Sequence, residues 1–254
     1  MSFFIEPIER LNLEPEIERV LKTLKPYSFF KGGVARDALL KKFTPPNLTR
    51  SSKPILDFDF VVFGVDLEWD DWGDEYVVFN EEQRKEYSRL NKLGDVEDHW
   101  SIKEYFKSRD NTLNQVLLGK NGLYYTGEAK KSSCDMVVGM TSDLRPRAVL
   151  RNILFALRLG HDYPKANVKK ALRDASIIDQ LIPLFKAYKL GLEWDYFKYL
   201  SQFSRDVRRH TDSDFYMISL LKKFEGERGR SFSPKTTEDK SILKEIIKRT
   251  RYEL

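Results

Sequence analysis

Two aspartates in the stretch DFDF are the residues whose types and spacing most directly suggest chemistry. Side chains alternate between the two faces of a β-strand, so Asp57 and Asp59 are expected to share one face. Two carboxylates on one face repel each other, and a divalent cation offsets that repulsion. Mg²⁺ prefers hard oxygen ligands, takes only one or two carboxylates and completes its shell with water and substrate phosphates. The pair therefore predicts a magnesium site.

A pair of glycines lies upstream of these aspartates. Gly32 and Gly33 follow the short apolar run YSFF and precede a helical pattern that begins near Val34. Without a Cβ atom, they let the backbone approach a triphosphate and offer it N–H groups, and the helix adds its positive N-terminal end. Either pair alone is commonly structural, as a turn or a surface strand. Together, in this order and spacing, they predict metal-assisted phosphoryl or nucleotidyl transfer.

Apolar periodicity predicts the elements that position these residues. We expect an amphipathic helix at 13–25, a strand at YSFF, a loop at 43–54 and a strand at 55–64. In the acidic run DLEWDDWGDE, Glu68, Asp70 and Asp71 are expected to lie in a solvated loop. Further predictions are a strand at 76–79, a helix at 81–93, a helix followed by a turn and a helix or strand at 101–118, and a strand at 122–127. Strands thus concentrate before about residue 140 and helices after it, so the class predicted is α+β with a helical rear region and a boundary near Asp143.

The composition limits the class of protein and the cellular compartment. The 254 residues are 41% hydrophobic and 33% charged, which suits one large or two smaller domains with a sizeable core. No apolar run approaches the roughly 20 residues that span a bilayer, and no signal peptide is recognisable at the N-terminus. The single cysteine, Cys134, cannot form an internal disulfide, and no Cys/His cluster suggests zinc. These features favour a cytoplasmic protein, and the net charge of +5 favours an anionic partner.

Four motifs resemble one known family. GGVARDALL followed by DFDFVVFG resembles the head domain of the class II tRNA nucleotidyltransferase and bacterial poly(A) polymerase family, within the polymerase-β-like nucleotidyltransferases. SRDNTLN resembles the family stretch Arg-Arg-Asp-Phe-Thr-Ile-Asn, CDMVVGMTSDL resembles its hinge, and LRNILFALRLG resembles the start of its neck helix. The four matches lie in family order and cover residues 29–160.

The resemblance implies a fold and an activity. The fold would be a nucleotidyltransferase head, with a mixed sheet flanked by helices, at 1–142 and a helical neck and body, possibly RNA-binding, at 143–254. The activity would be transfer of a nucleotide from an NTP, ATP or CTP, to an RNA 3′ end, with tRNA as one candidate. Asp57 and Asp59 would hold two Mg²⁺ ions, and Glu75 is the third carboxylate predicted.

The resemblance also assigns nucleotide-binding residues. Those expected at the triphosphate are Gly32, Gly33 and Arg36, and those expected at the ribose and phosphates are Arg109, Asp110 and Asn114. The family selects its base with a Glu-Asp-x-x-Arg set, but Leu144-Arg145 and Ala148 occupy those positions here. Arg147 or Arg151 could replace the arginine, whereas the acidic partner is absent, so the sequence does not predict which base is added.

The rear region is shorter than in the family, with about a hundred residues after the neck. Its basic runs at 205–210, 220–230 and 244–251, with nearby aromatics, predict an RNA-contacting face. Two alternatives stay open. The chain could transfer a nucleotide to a protein or a small molecule, or it could be a non-catalytic subunit that binds nucleotide, RNA or a protein partner.

Overall fold

The structure, a computed structural model, describes residues 2–45, 58–139 and 141, and a few positions between 152 and 162. The chain divides into two compact units, Met1–Ser142 and Asp143–Leu254. Most of the second unit, and with it the predicted helical region, lies outside the described residues, as does most of the loop predicted at 43–54.

The first unit mixes strands and helices along the chain. Its strands are β1 (Phe3–Glu6), β2 (Ser28–Phe30), β3 (Phe58–Phe63), β4 (Asp66–Trp69), β5 (Glu75–Val78), β6 (Gly94–His99), β7 (Val116–Gly119) and β8 (Gly122–Thr126). Its helices are α1 (Pro15–Thr23), α2 (Gly32–Phe43), α3 (Glu81–Leu90), α4 (Ile102–Lys107) and α5 (Gly127–Asp135). None of the helices in the described part of the chain is long and apolar enough to cross a bilayer.

The predicted α+β class is confirmed for this unit, with differences in detail. The helices predicted at 13–25 and 81–93 are present as α1 and α3, and helix α2 begins at Gly32 instead of Val34. The loop predicted for Glu68, Asp70 and Asp71 is wrong at Glu68, which lies on β4, whereas Asp70 and Asp71 lie in the turn between β4 and β5. Strands β1 and β6 match no predicted element.

Six strands form one mixed sheet in the order β1-β8-β7-β2-β3-β6. Strands β3 and β6 run parallel, whereas the other neighbours are antiparallel. Because β2 and β3 are antiparallel neighbours, the C-terminal end of β2 lies beside the N-terminal end of β3. This topology brings the glycines after β2 to the aspartates of β3.

Aromatic side chains fill both sides of the sheet. On one face, Phe29, Val61 and Phe63 pack with Tyr105 and Phe106 of α4. Their strand neighbours point to the opposite face, where the rings of Phe30 and Phe60 stack with centroids 4.9 Å apart. Strands β2 and β3 are therefore buried on both faces of the sheet, next to the end of β3 that carries Asp59.

A buried carboxylate ties α3 to the segment before β2. Glu86 is 4% exposed and accepts hydrogen bonds from the Ser28 hydroxyl at 3.0 Å and from Nε and Nη2 of Arg89, each at 2.8 Å. Arg89 in turn donates to the backbone carbonyl of Thr23 at 3.3 Å. Burial alone would raise the pKa of Glu86, but the hydrogen bonds from Arg89 and Ser28 outweigh it and hold the pKa below its ordinary value.

The first prediction concerns Glu86→Gln. A glutamine places its amide against donors that need an acceptor, so we expect the free energy of unfolding at pH 7 to fall by about 2 kcal/mol. Because the folded-state pKa of Glu86 is lowered, its stabilisation is fully present above its ordinary value of 4.5 and is lost as the pH falls through the folded value. Urea denaturation at pH 7.5 and pH 4 should show the difference between wild type and variant shrinking in acid.

The control is Glu81→Gln on the same helix. The Glu81 side chain is 82% exposed and pairs with Lys85 at the helix surface, so its loss should lower stability far less than the loss of Glu86 does. Equal effects of the two substitutions, or a Glu86→Gln cost that does not change with pH, would contradict the role given to this carboxylate.

Candidate functional site

The N-terminus of α2 meets β3 where Gly32 contacts Asp59. Gly32 is the first residue of α2, and its φ of +59° lies in the left-handed region that favours glycine. A Cβ atom built at position 32 would lie 2.5 Å from Oδ2 of Asp59. The carboxylate therefore occupies the space that a side chain at position 32 would need. Both the backbone angle and this neighbour require a glycine here.

The pairing of β2 with β3 fixes Asp59 in that place. Phe30 and Phe60 are partners in the register, and the N–H of Lys31 donates to the carbonyl oxygen of Asp59 at 2.8 Å. Phe60 is fully buried, so the alternation of the strand turns Asp59 to the other face. Asp57 lies outside the described residues, and its position on the same face as Asp59 stays a prediction.

Strand β6 adds acidic residues beside β3. In the parallel register, Asp95 is the partner of Asp59 and Glu97 is the partner of Val61, so all four share one face of the sheet. Asp95 is exposed. Strand β6 is not predicted from the sequence, because GDVEDH contains a single apolar residue, Val96. The strand nevertheless brings two further carboxylates to the face of Asp59.

Glu97 is the centre of a cluster of ion pairs. It accepts hydrogen bonds from Lys31 Nζ at 2.9 Å and from Arg109 Nη2 at 2.6 Å, and His99 Nε2 lies 2.9 Å from its Oε1. Lys31 Nζ also lies 3.5 Å from Oδ2 of Asp95. Burial alone would raise the pKa of Glu97, but the hydrogen bonds from His99 and Arg109 hold it far below its ordinary range. Glu97 is therefore ionised, and it holds the cationic side chains of Lys31 and Arg109 close to Asp59.

Arg109 is held by its neighbours in the protein. Its guanidinium carbon lies 4.1 Å from the centroid of the Tyr105 ring, and both terminal nitrogens donate to Glu97. Burial lowers the pKa of Arg109, but the hydrogen bond to Glu97 outweighs it and raises the pKa. The structure thus shows Arg109 anchored on Glu97 and Tyr105, and its contact with a nucleotide stays a prediction.

Three residues predicted to surround the nucleotide form one hydrogen-bonded chain. Arg36 Nη1 donates to Oδ1 of Asn114 at 3.0 Å, and Asn114 Nδ2 donates to Oδ1 of Asp110 at 2.9 Å. Asn111 donates to the same Asp110 oxygen at 3.2 Å. The chain joins α2, which begins at Gly32, to the turn before β7. Residues 78 positions apart in the sequence are thereby fixed beside each other.

The turn before β7 is also fixed to the segment after α5. The N–H of Thr112 donates to the carbonyl oxygen of Gly139 at 2.9 Å, and the N–H of Gly139 donates to the Thr112 hydroxyl at 3.1 Å. A Cβ at position 139 would lie 2.9 Å from the Thr112 side chain. Two motifs that resemble the family separately therefore meet in space.

One further predicted residue, Glu75, does not join this cluster. Glu75 lies on β5, opposite Trp69, in the separate hairpin and not in the six-stranded sheet. Arg147, Arg151 and Asp57 lie outside the described residues. Within the described ranges, no group of three or more His, Cys, Asp or Glu side chains is arranged to hold a metal ion.

Comparison with known proteins gives structural similarity alone. No protein-family model and no curated protein matches the chain. The CCA-adding enzyme of Thermotoga maritima complexed with tRNA is 18% identical, with a TM-score of 0.46 over 100% of this chain and 71% of that one. A CCA-adding enzyme in its apo form I is 16% identical, with a TM-score of 0.47 over 100% and 70% of the two chains.

A third similar structure is the Bacillus stearothermophilus CCA-adding enzyme in complex with CTP. It is 16% identical, with a TM-score of 0.40, and the match covers 68% of this chain and 45% of that one. Identities and TM-scores this low do not establish a shared activity.

The second prediction compares alanine at the two glycines. Gly32→Ala places a Cβ against the Asp59 carboxylate and strains a positive φ, so we expect it to lower the free energy of unfolding by about 1–3 kcal/mol. A Cβ at Gly33 would meet nothing within 4 Å, and Gly33→Ala is the matched control. It should leave stability unchanged or raise it by about 0.5–1 kcal/mol. Urea denaturation of the ligand-free proteins measures both, and equal losses would contradict the contact.

Proposed function

We propose that the chain is a metal-dependent nucleotidyltransferase that transfers a nucleotide from an NTP to the 3′ end of an RNA. The observation that carries the proposal is the contact between Gly32 and the carboxylate of Asp59 at the N-terminus of α2. An acid suited to a cation and a helix end suited to an anion lie side by side there. A triphosphate that carries a metal ion presents both charges and fits such a pair.

The chain's own groups would bind the triphosphate. The first N–H groups of α2 have no intrahelical partner and carry the positive end of the helix dipole. Gly33 leaves open space beside them, since a Cβ there would meet nothing within 4 Å. Arg36, one turn further along α2, is oriented by Asn114 and would add positive charge at the phosphates.

The acidic side of the site fits magnesium. The Asp59 carboxylate lies against the backbone of Gly32 and supplies the hard oxygen ligands that Mg²⁺ prefers. Asp57 would share the site from the same strand, and Asp95, in register with Asp59, is better placed than Glu75 to be the third acid. Two bound Mg²⁺ ions would supply Lewis-acid stabilisation of the attacking 3′-hydroxyl oxygen and of the leaving pyrophosphate.

The acceptor proposed is RNA because of the chain's charge. The net charge of +5 and a pI near 9.0 suit a phosphate-rich partner. The basic runs at 205–210, 220–230 and 244–251 are the candidates to bind it.

One observation favours a second candidate, a non-catalytic nucleotide-binding protein. The Lys31 ammonium lies 2.9 Å from Glu97 and 3.5 Å from Asp95, so a protein cation already pairs with both acids that β6 places on the face of Asp59. A site that keeps these ion pairs would have fewer carboxylates available to bind Mg²⁺, which favours nucleotide binding without catalysis.

The third prediction tests the transfer directly. The protein is incubated with a labelled RNA, Mg²⁺ and each NTP in turn, and the RNA is resolved on a sequencing gel. We expect extension by one or a few nucleotides with at least one NTP. Asp57→Asn and Asp59→Asn should each reduce the rate by about 100-fold or more, because each removes a charged metal ligand.

The matched control is Asp98→Asn. Asp98 lies on β6 opposite Val62, on the other face of the sheet from Asp59, and should leave extension unchanged. Thermal stabilisation by ATP or CTP that requires Mg²⁺, without extension of any RNA, would instead support the non-catalytic candidate. Mass shifts on protein or small-molecule acceptors would show transfer to another class of substrate.

A further inference from the structure

The hairpin of β4 and β5 is the most exposed element in the described part of the chain. Every residue from 68 to 76 is exposed. The two strands pair only with each other in the register, from Asp66 opposite Val78 to Trp69 opposite Glu75. Isolated two-stranded hairpins are marginally stable in water. This hairpin therefore needs support from its base, its tip or a partner.

Hydrogen bonds order the base and the tip. At the base, the N–H of Gly64 donates to the carbonyl of His99, and the N–H of Val65 donates to the carbonyl of Val78, both at 2.9 Å. At the tip, Oδ1 of Asp70 accepts from the N–H groups of Trp72 at 2.9 Å and Asp74 at 2.8 Å. These hydrogen bonds order the backbone at both ends of the hairpin.

Large aromatic side chains are exposed on this hairpin. Trp72 at the tip is 90% exposed, Trp69 is 62% exposed and Tyr76 is 46% exposed. Tryptophan and tyrosine dominate the residues that carry binding energy in protein interfaces. Trp69 lies opposite Glu75 and Tyr76 lies opposite Glu68, so Trp69 and Tyr76 are on opposite faces of the hairpin. Trp69 and Trp72 are therefore the aromatic side chains that mark an interaction surface on this exposed element.

The charge of the hairpin determines the kind of partner. Residues 64–80 contain six acidic residues and no lysine or arginine, in a chain with a net charge of +5. The six are Asp66, Glu68, Asp70, Asp71, Asp74 and Glu75. They would repel a nucleic-acid backbone and attract lysine and arginine, whose cationic groups also bind over tryptophan rings.

We propose that this hairpin docks a basic segment of a partner protein. The segment would carry lysine or arginine side chains against the acids and over the indole rings, with apolar side chains packed beside Trp69 and Trp72. The proposal is independent of the nucleotidyl transfer proposed above, since the hairpin lies outside the sheet that carries Asp59.

The fourth prediction uses a defined probe. A fluorescent peptide of repeating lysine, arginine and leucine is titrated with the full chain, and anisotropy is measured at about physiological salt. A peptide with glutamate at every basic position and a single-stranded RNA are titrated in parallel. We expect the basic peptide to bind, and Trp69→Ser and Trp72→Ser each to weaken its binding by about tenfold or more. Both side chains are exposed, so both variants should fold.

The matched control is Trp100→Ser. Trp100 is 46% exposed but lies outside the hairpin, and its loss should leave peptide affinity unchanged. RNA extension should be the same in all three tryptophan variants, so failure of this proposal is distinguishable from failure of the transfer activity.

Three results would overturn the proposal. One is peptide affinity that is the same in wild type, Trp72→Ser and Trp100→Ser. Another is RNA binding that depends on Trp72, which would make the hairpin a nucleic-acid contact. The third is self-association in sedimentation that is lost in Trp72→Ser, which would make a second copy of the chain the occupant.

Discussion

The contact between the Asp59 carboxylate and Gly32 is the constraint on which the rest of the site depends. A carboxylate can lie against the first turn of α2 only because position 32 has no side chain and adopts a positive φ. The same contact joins the acidic end of β3 to the positive end of a helix.

The charged side chains of Lys31, Glu97 and Arg109 around that contact are partly buried, and each is paired with a partner of opposite charge. Glu97 holds Lys31 and Arg109, and Tyr105 covers the guanidinium of Arg109. A charged group that is partly withdrawn from water needs such partners, because its desolvation is otherwise unfavourable. The consequence for function is that Arg109 supports the site through Glu97, while Arg36, oriented by Asn114, lies on the helix that carries the glycines.

The two proposed surfaces differ in charge and in construction. The site at Asp59 is built on β2 and β3, the central strands whose side chains are buried on both faces of the sheet. The β4–β5 hairpin is exposed, acidic and aromatic, and its position depends on hydrogen bonds at its base and tip. A rigid sheet suits chemistry that needs precise distances, and a projecting hairpin suits recognition of a separate chain.

The sequence by itself determined the local features: the α+β class, helices α1 and α3, the glycines at 32 and 33, and the strand that carries Asp59. Each of these features follows from a short stretch of sequence, either from the spacing of its apolar residues or from a glycine, which has no Cβ atom. Only the tertiary structure decided which distant residues meet. Strand β6 has one apolar residue and no periodic signal, yet its parallel register sets Asp95 beside Asp59 and places Glu97 between Lys31 and Arg109. Glu75, the acid predicted from its place in the chain, lies instead on a separate hairpin. The order of strands in a sheet is fixed by the packing of the whole unit, and that order selects which carboxylate lies next to the site.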